Sequence, residues 1–99
     1  MAADVNDITI NYEEEGVQMV KELDKVILSK GAWATLLFRY QQWDAKKEAF
    51  SPDRYTIRRY RKIQGDYSQQ SKFNISSPEQ AAKIVEALSK WIEPEAGDR

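Results

Sequence analysis

Neither cysteine nor histidine occurs in the 99 residues. Without cysteine no disulfide can form, and without either residue the usual zinc ligands are missing, which leaves a carboxylate or carbonyl site as the only metal option. No cofactor is expected. General acid–base work at neutral pH usually recruits histidine, cysteine or a carboxylate tuned by an apolar setting; the first two are absent and no such carboxylate pair stands out. The chain therefore reads as a non-enzyme. Glycine is also scarce, and Gly16, Gly31 and Gly65 stand alone, so no glycine loop exists to cradle a phosphate. No apolar run approaches the length of a membrane span, and Asp4 and Asp7 sit where a signal peptide would need a cationic start. The expected compartment is the cytoplasm, with no membrane partner and no small-molecule substrate.

What the chain does have is charge sorted along its length. Fifteen bases against 16 acids give a net charge of -1, yet the segment from Arg54 to Lys72 carries six cations against the single acid Asp66, together with three tyrosines. Residues 1–25 hold seven acids against Lys21 and Lys25. A basic block interleaved with aromatic rings is the electrostatic and stacking footprint of a nucleic-acid surface. The near-neutral total argues against a protein that coats duplex DNA by charge alone, so any such binding must come from one local face.

Residues 1–16, with the EEEG run, read as a flexible acidic arm, residues 17–93 as one domain and residues 94–99 as an acidic tail. Strands are expected from Met19 to Ser29 and, after a turn at Ser29, Lys30 and Gly31, from Trp33 to Trp43, where β-propensity is high and polarity alternates. The polar stretch from Asp44 to Asp53 reads as a longer hairpin loop. A third strand from Tyr55 to Ile63 turns at Gln64, Gly65 and Asp66 into a fourth from Tyr67 to Ile75. Ser77 then caps a helix with Pro78 at its first position and Gln80 completing a capping box. Spacings of three and four gather Ala81, Ile84, Val85, Leu88, Trp91 and Ile92 on one helical stripe, and Pro94 and Gly97 end the helix. The fold class is α+β, a four-stranded curved antiparallel sheet followed by a C-terminal helix whose stripe covers one sheet face.

Alternation divides each strand between the helix-covered face and an open one. Ala34, Leu36, Phe38 and Tyr40 are expected in the core, as are Tyr55, Ile57, Ile63, Tyr67, Phe73 and Ile75. The open face then collects Arg39, Gln41, Trp43, Arg58, Tyr60, Lys62, Gln70 and Lys72. Cations attract a phosphate backbone and rings stack unpaired bases, so such a surface suits a single strand, and no helix here reads as a groove-reading element. The same residue types also occur on the solvated face of any antiparallel sheet, and Trp43 equally fits a dimer interface. Arg59 and Arg61 fall on the inner parity; they pair with acids, pass the helix edge, or sit beyond a bulge that resets the register.

The segment IRRYRKIQGDYSQQSKFNISSPEQ, residues 57–80, resembles the single-stranded-DNA-binding domain of transcriptional positive cofactor four. Ile57, Arg58, Arg59 and Tyr60 match its IREY-like strand, Lys72 to Ser76 its lysine and GISL-type strand, and Pro78, Glu79 and Gln80 its PEQ helix start. Small cyanobacterial members of that superfamily and, more distantly, the plant Whirly proteins are similar in layout. The resemblance implies a homodimer whose helices meet near the two-fold axis, with channels for single-stranded DNA contacted by Arg58, Tyr60 and Lys72. Phe73 departs from the usual glycine, and the serine-rich and lysine-rich regulatory segment of the eukaryotic coactivator is absent. Independently, free sheet edges and a half-covered face favour a partner copy.

The function expected from sequence is a non-enzymatic, transcription-regulator-like protein that binds single-stranded DNA or RNA through Arg39, Trp43, Arg58, Tyr60, Lys62 and Lys72. The alternative is a protein-interaction module in which the same face or an edge strand takes a peptide or acidic partner, the chain's own acidic arm included.

Overall fold

The computed structural model describes residues 2–97, with side chains described through residue 92. Strand β1 (Tyr12–Glu14) is followed by β2 (Val17–Ser29), β3 (Trp33–Asp44), β4 (Ala49–Phe50), β5 (Arg54–Ile63), β6 (Asp66–Ile75) and helix α1 (Pro78–Gly97). The strands form one antiparallel sheet in the order β1-β2-β3-β5-β6, with β4 folded back on β3. The α+β class and the sheet-then-helix order match the sequence reading, but the sheet has six strands rather than four. The two additions are short. β1 pairs with β2 through a two-residue loop in which Glu15 and Gly16 both take positive φ, 51° and 81°, the geometry that matches the twist of a hairpin. The same solution appears at Gln64 and Gly65, φ 52° and 88°, so β6 starts at Asp66, directly opposite Ile63. In the loop after β3 the Asp44 carboxylate accepts from the amides of Lys46 and Lys47, which turns the chain back for β4.

The segment expected as a loose acidic arm is packed. A 3₁₀ turn at Val5–Asp7, capped by Asp4, leads into an extended stretch that crosses one face of the sheet. Val5, Ile8 and Ile10 are buried there against Ala34, Leu36, Phe38, Tyr40 and Tyr60. Two side chains of β2 hold the main chain of the segment. The Lys25 ammonium donates to the carbonyls of Asn6 and Ile8, both at 2.6 Å, while the Glu22 carboxylate accepts from the Ile10 amide and the Thr9 hydroxyl. Charge-assisted bonds of this kind are among the stronger ones available to a protein. The Tyr67 amide of β6 donates to the Ala2 carbonyl at 2.8 Å, so the segment reaches across to the far strand.

The helix starts as the sequence suggests. Ser77 Oγ accepts from the Gln80 amide and the Gln80 side chain reaches back to the amide and hydroxyl of Ser76. It runs to Gly97 through Pro94, which removes one intrahelical bond but does not stop the last turn. The expected tail is thus partly helix, and its last two residues lie outside the described ones. The helix leaves most of the sheet uncovered. It packs beside β6, and Val85, Leu88, Trp91 and Ile92 are exposed. The core face is covered by the N-terminal segment instead.

Candidate nucleic-acid interface

Residues paired directly across antiparallel strands point to the same face, so the register decides what each face carries. Ala34 pairs with Tyr60, Leu36 with Arg58, Phe38 with Thr56 and Tyr40 with Arg54. Ala34, Leu36, Phe38 and Tyr40 are in the core as expected. Their partners Thr56, Arg58 and Tyr60, the last two assigned from sequence to the open side, therefore lie on the covered face. Thr56 is fully buried, its hydroxyl bonded to Asn74 and to the Phe73 carbonyl. Tyr60 is only 6% exposed, beneath the N-terminal segment. Its burial raises the phenol pKa, an effect that the charge and hydrogen bond of Arg58 partly oppose.

Lys72 stands opposite Arg58 on this face, and Lys62 lies opposite Tyr67 with its ammonium 5.5 Å from that ring. Arg58 donates to Gln69 at 3.1 Å, while its buried Nε has no partner. The six candidate residues are therefore divided. Arg58, Tyr60, Lys62 and Lys72 share the covered face; Arg39 and Trp43 lie on the other. Arg39 is bonded to Asp53 at 2.9 Å, which raises its pKa and occupies its charge, and Trp43 is half-buried edge-on to Phe50.

The uncovered face is organised in rows that run across the strands. Val26, Leu37, Ile57 and Phe73 pair in turn across β2, β3, β5 and β6 and form a continuous apolar row. Tyr55, Ile57, Phe73 and Ile75, assigned to the covered face from sequence, all stand on this side by register, although Ile75, at the end of β6 next to the helix, is buried as expected, at 7% exposure. Ser29, Thr35, Arg59 and Ser71 make the next row, and beyond it Trp33 pairs with Arg61. A bulge places Gln70 as an extra residue between the pairs Arg59–Ser71 and Tyr60–Gln69, so Tyr67 turns to the face opposite Phe73.

Trp33, Arg59 and Arg61 form the cationic end of this face. The guanidinium carbons of Arg59 and Arg61 lie 4.5 and 5.5 Å from the Trp33 ring centre, and the indole remains 42% exposed. Arg39–Asp53 is the only ion pair among the described residues, so neither arginine is neutralised by a carboxylate. Their neighbours in the adjoining row are the hydroxyl residues Ser29, Thr35 and Ser71. Two fork-shaped donors and a flat indole at one site can take a phosphate and a stacked base together. Sequence reasoning names none of these three as a binding residue: it points Trp33 outward as a packing residue and leaves Arg59 and Arg61 between ion pairing and phosphate contact. The signal is nevertheless present: Trp33 and Thr35 alternate with the core residues Ala34 and Leu36, and their partners Arg61 and Arg59 must follow them outward.

Among the described residues no three carboxylates converge on a metal site, and no helix is long and apolar enough to cross a membrane. No protein-family model matches this chain, and neither a curated protein nor a solved structure is found to match it.

Proposed function

We propose that this chain is a non-enzymatic protein that binds single-stranded DNA or RNA in the cytoplasm, acts as a homodimer, and belongs with transcription regulators of the positive-cofactor-four type. The observation that carries the binding reading is the Trp33–Arg59–Arg61 cluster on the uncovered sheet face, with both cations free of carboxylates. Unpaired bases expose their faces to an indole or a guanidinium plane, whereas a duplex keeps them stacked inside. The resemblance in residues 57–80 supports the same class, although its positions Arg58 and Tyr60 lie on the covered face. Self-association is favoured by Val26, Phe73, Leu88 and Trp91, large apolar side chains left in solvent.

The test is fluorescence anisotropy with an oligo-dT strand and with the matching duplex. The single strand binds more tightly, and log affinity falls with log salt. Replacing Arg59 and Arg61 together by alanine lowers the salt slope by roughly 1.4, at about 0.7 for each phosphate no longer neutralised. Equal affinity for the two nucleic acids, or a double variant with an unchanged slope, rejects the reading.

A further inference from the structure

Each arginine of the Trp33 cluster has a serine across from it on the next strand. Ser71 of β6 stands opposite Arg59 and Ser68 opposite Arg61, while Thr35 of β3 flanks Arg59 on its other side. Both serines are exposed and Thr35 is half-buried. Thr56, on the covered face, bonds its hydroxyl to Asn74 and to the Phe73 carbonyl, whereas among the described residues no protein group engages the hydroxyl of Thr35, Ser68 or Ser71. Three open hydroxyls therefore surround two guanidiniums that no carboxylate neutralises.

A phosphate held by either guanidinium lies beside these hydroxyls, because side chains paired across strands stand about 5 Å apart. In RNA the group next to each 3′-phosphate is the 2′-hydroxyl of the same ribose, where DNA carries only hydrogen. That hydroxyl donates and accepts, as serine and threonine hydroxyls do, so the two match with no charge left over. The apolar row Val26–Leu37–Ile57–Phe73 borders the site on one side and offers a phosphate nothing. It confines a polynucleotide backbone to the rows of arginines and hydroxyls, across the β-strands rather than along them, with the Trp33 ring beside it to stack a base. We infer that the open face takes single-stranded RNA in preference to DNA, with phosphates on Arg59 and Arg61 and 2′-hydroxyls on Thr35, Ser68 and Ser71.

This assignment rests on the reading of the open face as a single-strand surface and says which nucleic acid that surface selects. Anisotropy titrations of the full chain with oligo-U, oligo-dU and 2′-O-methyl oligo-U of equal length test it, since the base is the same in all three. Oligo-U binds roughly tenfold or more tighter than oligo-dU, the gain expected of two or three neutral hydrogen bonds. The 2′-O-methyl strand lacks the hydroxyl donor and binds close to oligo-dU. In the triple variant Thr35→Val, Ser68→Ala, Ser71→Ala the ratio of oligo-U to oligo-dU affinity falls towards one. Far-UV circular dichroism checks the sheet of that variant, and the 2′-O-methyl comparison stands without any substitution. Equal affinity for oligo-U and oligo-dU, with a single strand still preferred to duplex, overturns the RNA assignment and leaves the single-strand reading in place. A preference for RNA that survives the triple variant puts the ribose contact elsewhere and overturns the assignment as well. No preference for a single strand over duplex overturns both.

Discussion

Ala34, Leu36 and Phe38 are fully buried beneath Val5, Ile8 and Ile10, whereas Trp33, Thr35 and Leu37, each displaced by one residue on the same strand, look out from the opposite side. One side of the sheet is closed by the N-terminal segment of its own chain, clamped through Glu22 and Lys25. The other keeps an apolar row, two unneutralised arginines and an indole in solvent. A sheet whose single helix leans off its edge can finish only one face with its own chain. The unfinished face is where interaction chemistry remains available, and it is not the face on which the tyrosine-rich alternation of β5 first suggests it.

The contrast is tested most strongly by stability. Phe38→Ala is expected to cost about 3–5 kcal/mol by urea denaturation, because it empties a fully buried site. Val26→Ala on the open face should cost less than about 1 kcal/mol in the same measurement, made at a concentration low enough to keep the chain monomeric. Equal costs would remove the distinction between the faces. Next, Ile8→Ala should destabilise by about 2–4 kcal/mol, which a loosely attached arm could not do.

Smaller effects sharpen the functional side of the comparison. Trp33→Ala should weaken oligo-dT binding by about 1–3 kcal/mol with little change in salt slope, the mark of a lost stack rather than a lost charge. Tyr60→Phe should leave that affinity unchanged, since Tyr60 faces the N-terminal segment. The reverse result would return the binding surface to the covered side.

The smallest effect is in alkaline titration. Burial raises the Tyr60 pKa in the folded protein above its unfolded value near 10. The folded state therefore holds its proton more tightly, and the stability this supplies is present below about pH 10 and lost as pH rises through the folded pKa. In Tyr60→Phe that part of the alkaline decline should disappear. An identical decline in both proteins would place Tyr60 in water.

Local signals are legible because they depend on a few adjacent residues. Gly65 marks a hairpin whose backbone needs positive φ, and Ser77, Pro78 and Gln80 mark a helix start whose orphan amides need an oxygen. The Ala34–Tyr40 alternation identifies a core-facing side correctly. The inference fails at the next strand, where apolar character alone suggests that Ile57, Ile63 and Phe73 point inward. Their partners show otherwise for two of them, since Ile57 is opposite Leu37 and Phe73 is opposite Ile57, and Ile63 is exposed. The Gln70 bulge then reverses the sense of alternation within β6, which no pattern with a period of two can follow.

By itself the sequence determined the α+β class, the positions of the main turns, the capped helix and the concentration of positive charge in β5 and its hairpin, because each is set by short-range sterics, hydrogen bonding or residue identity. Only the tertiary structure decided that Val5, Ile8 and Ile10 cover the sheet, that the helix leaves most of it uncovered, and that Arg59 and Arg61 rather than Arg58 and Tyr60 meet solvent beside an exposed ring. Those outcomes depend on which distant strand lies opposite which. A shift of one residue in that pairing exchanges every side chain between the faces while leaving local propensities unchanged.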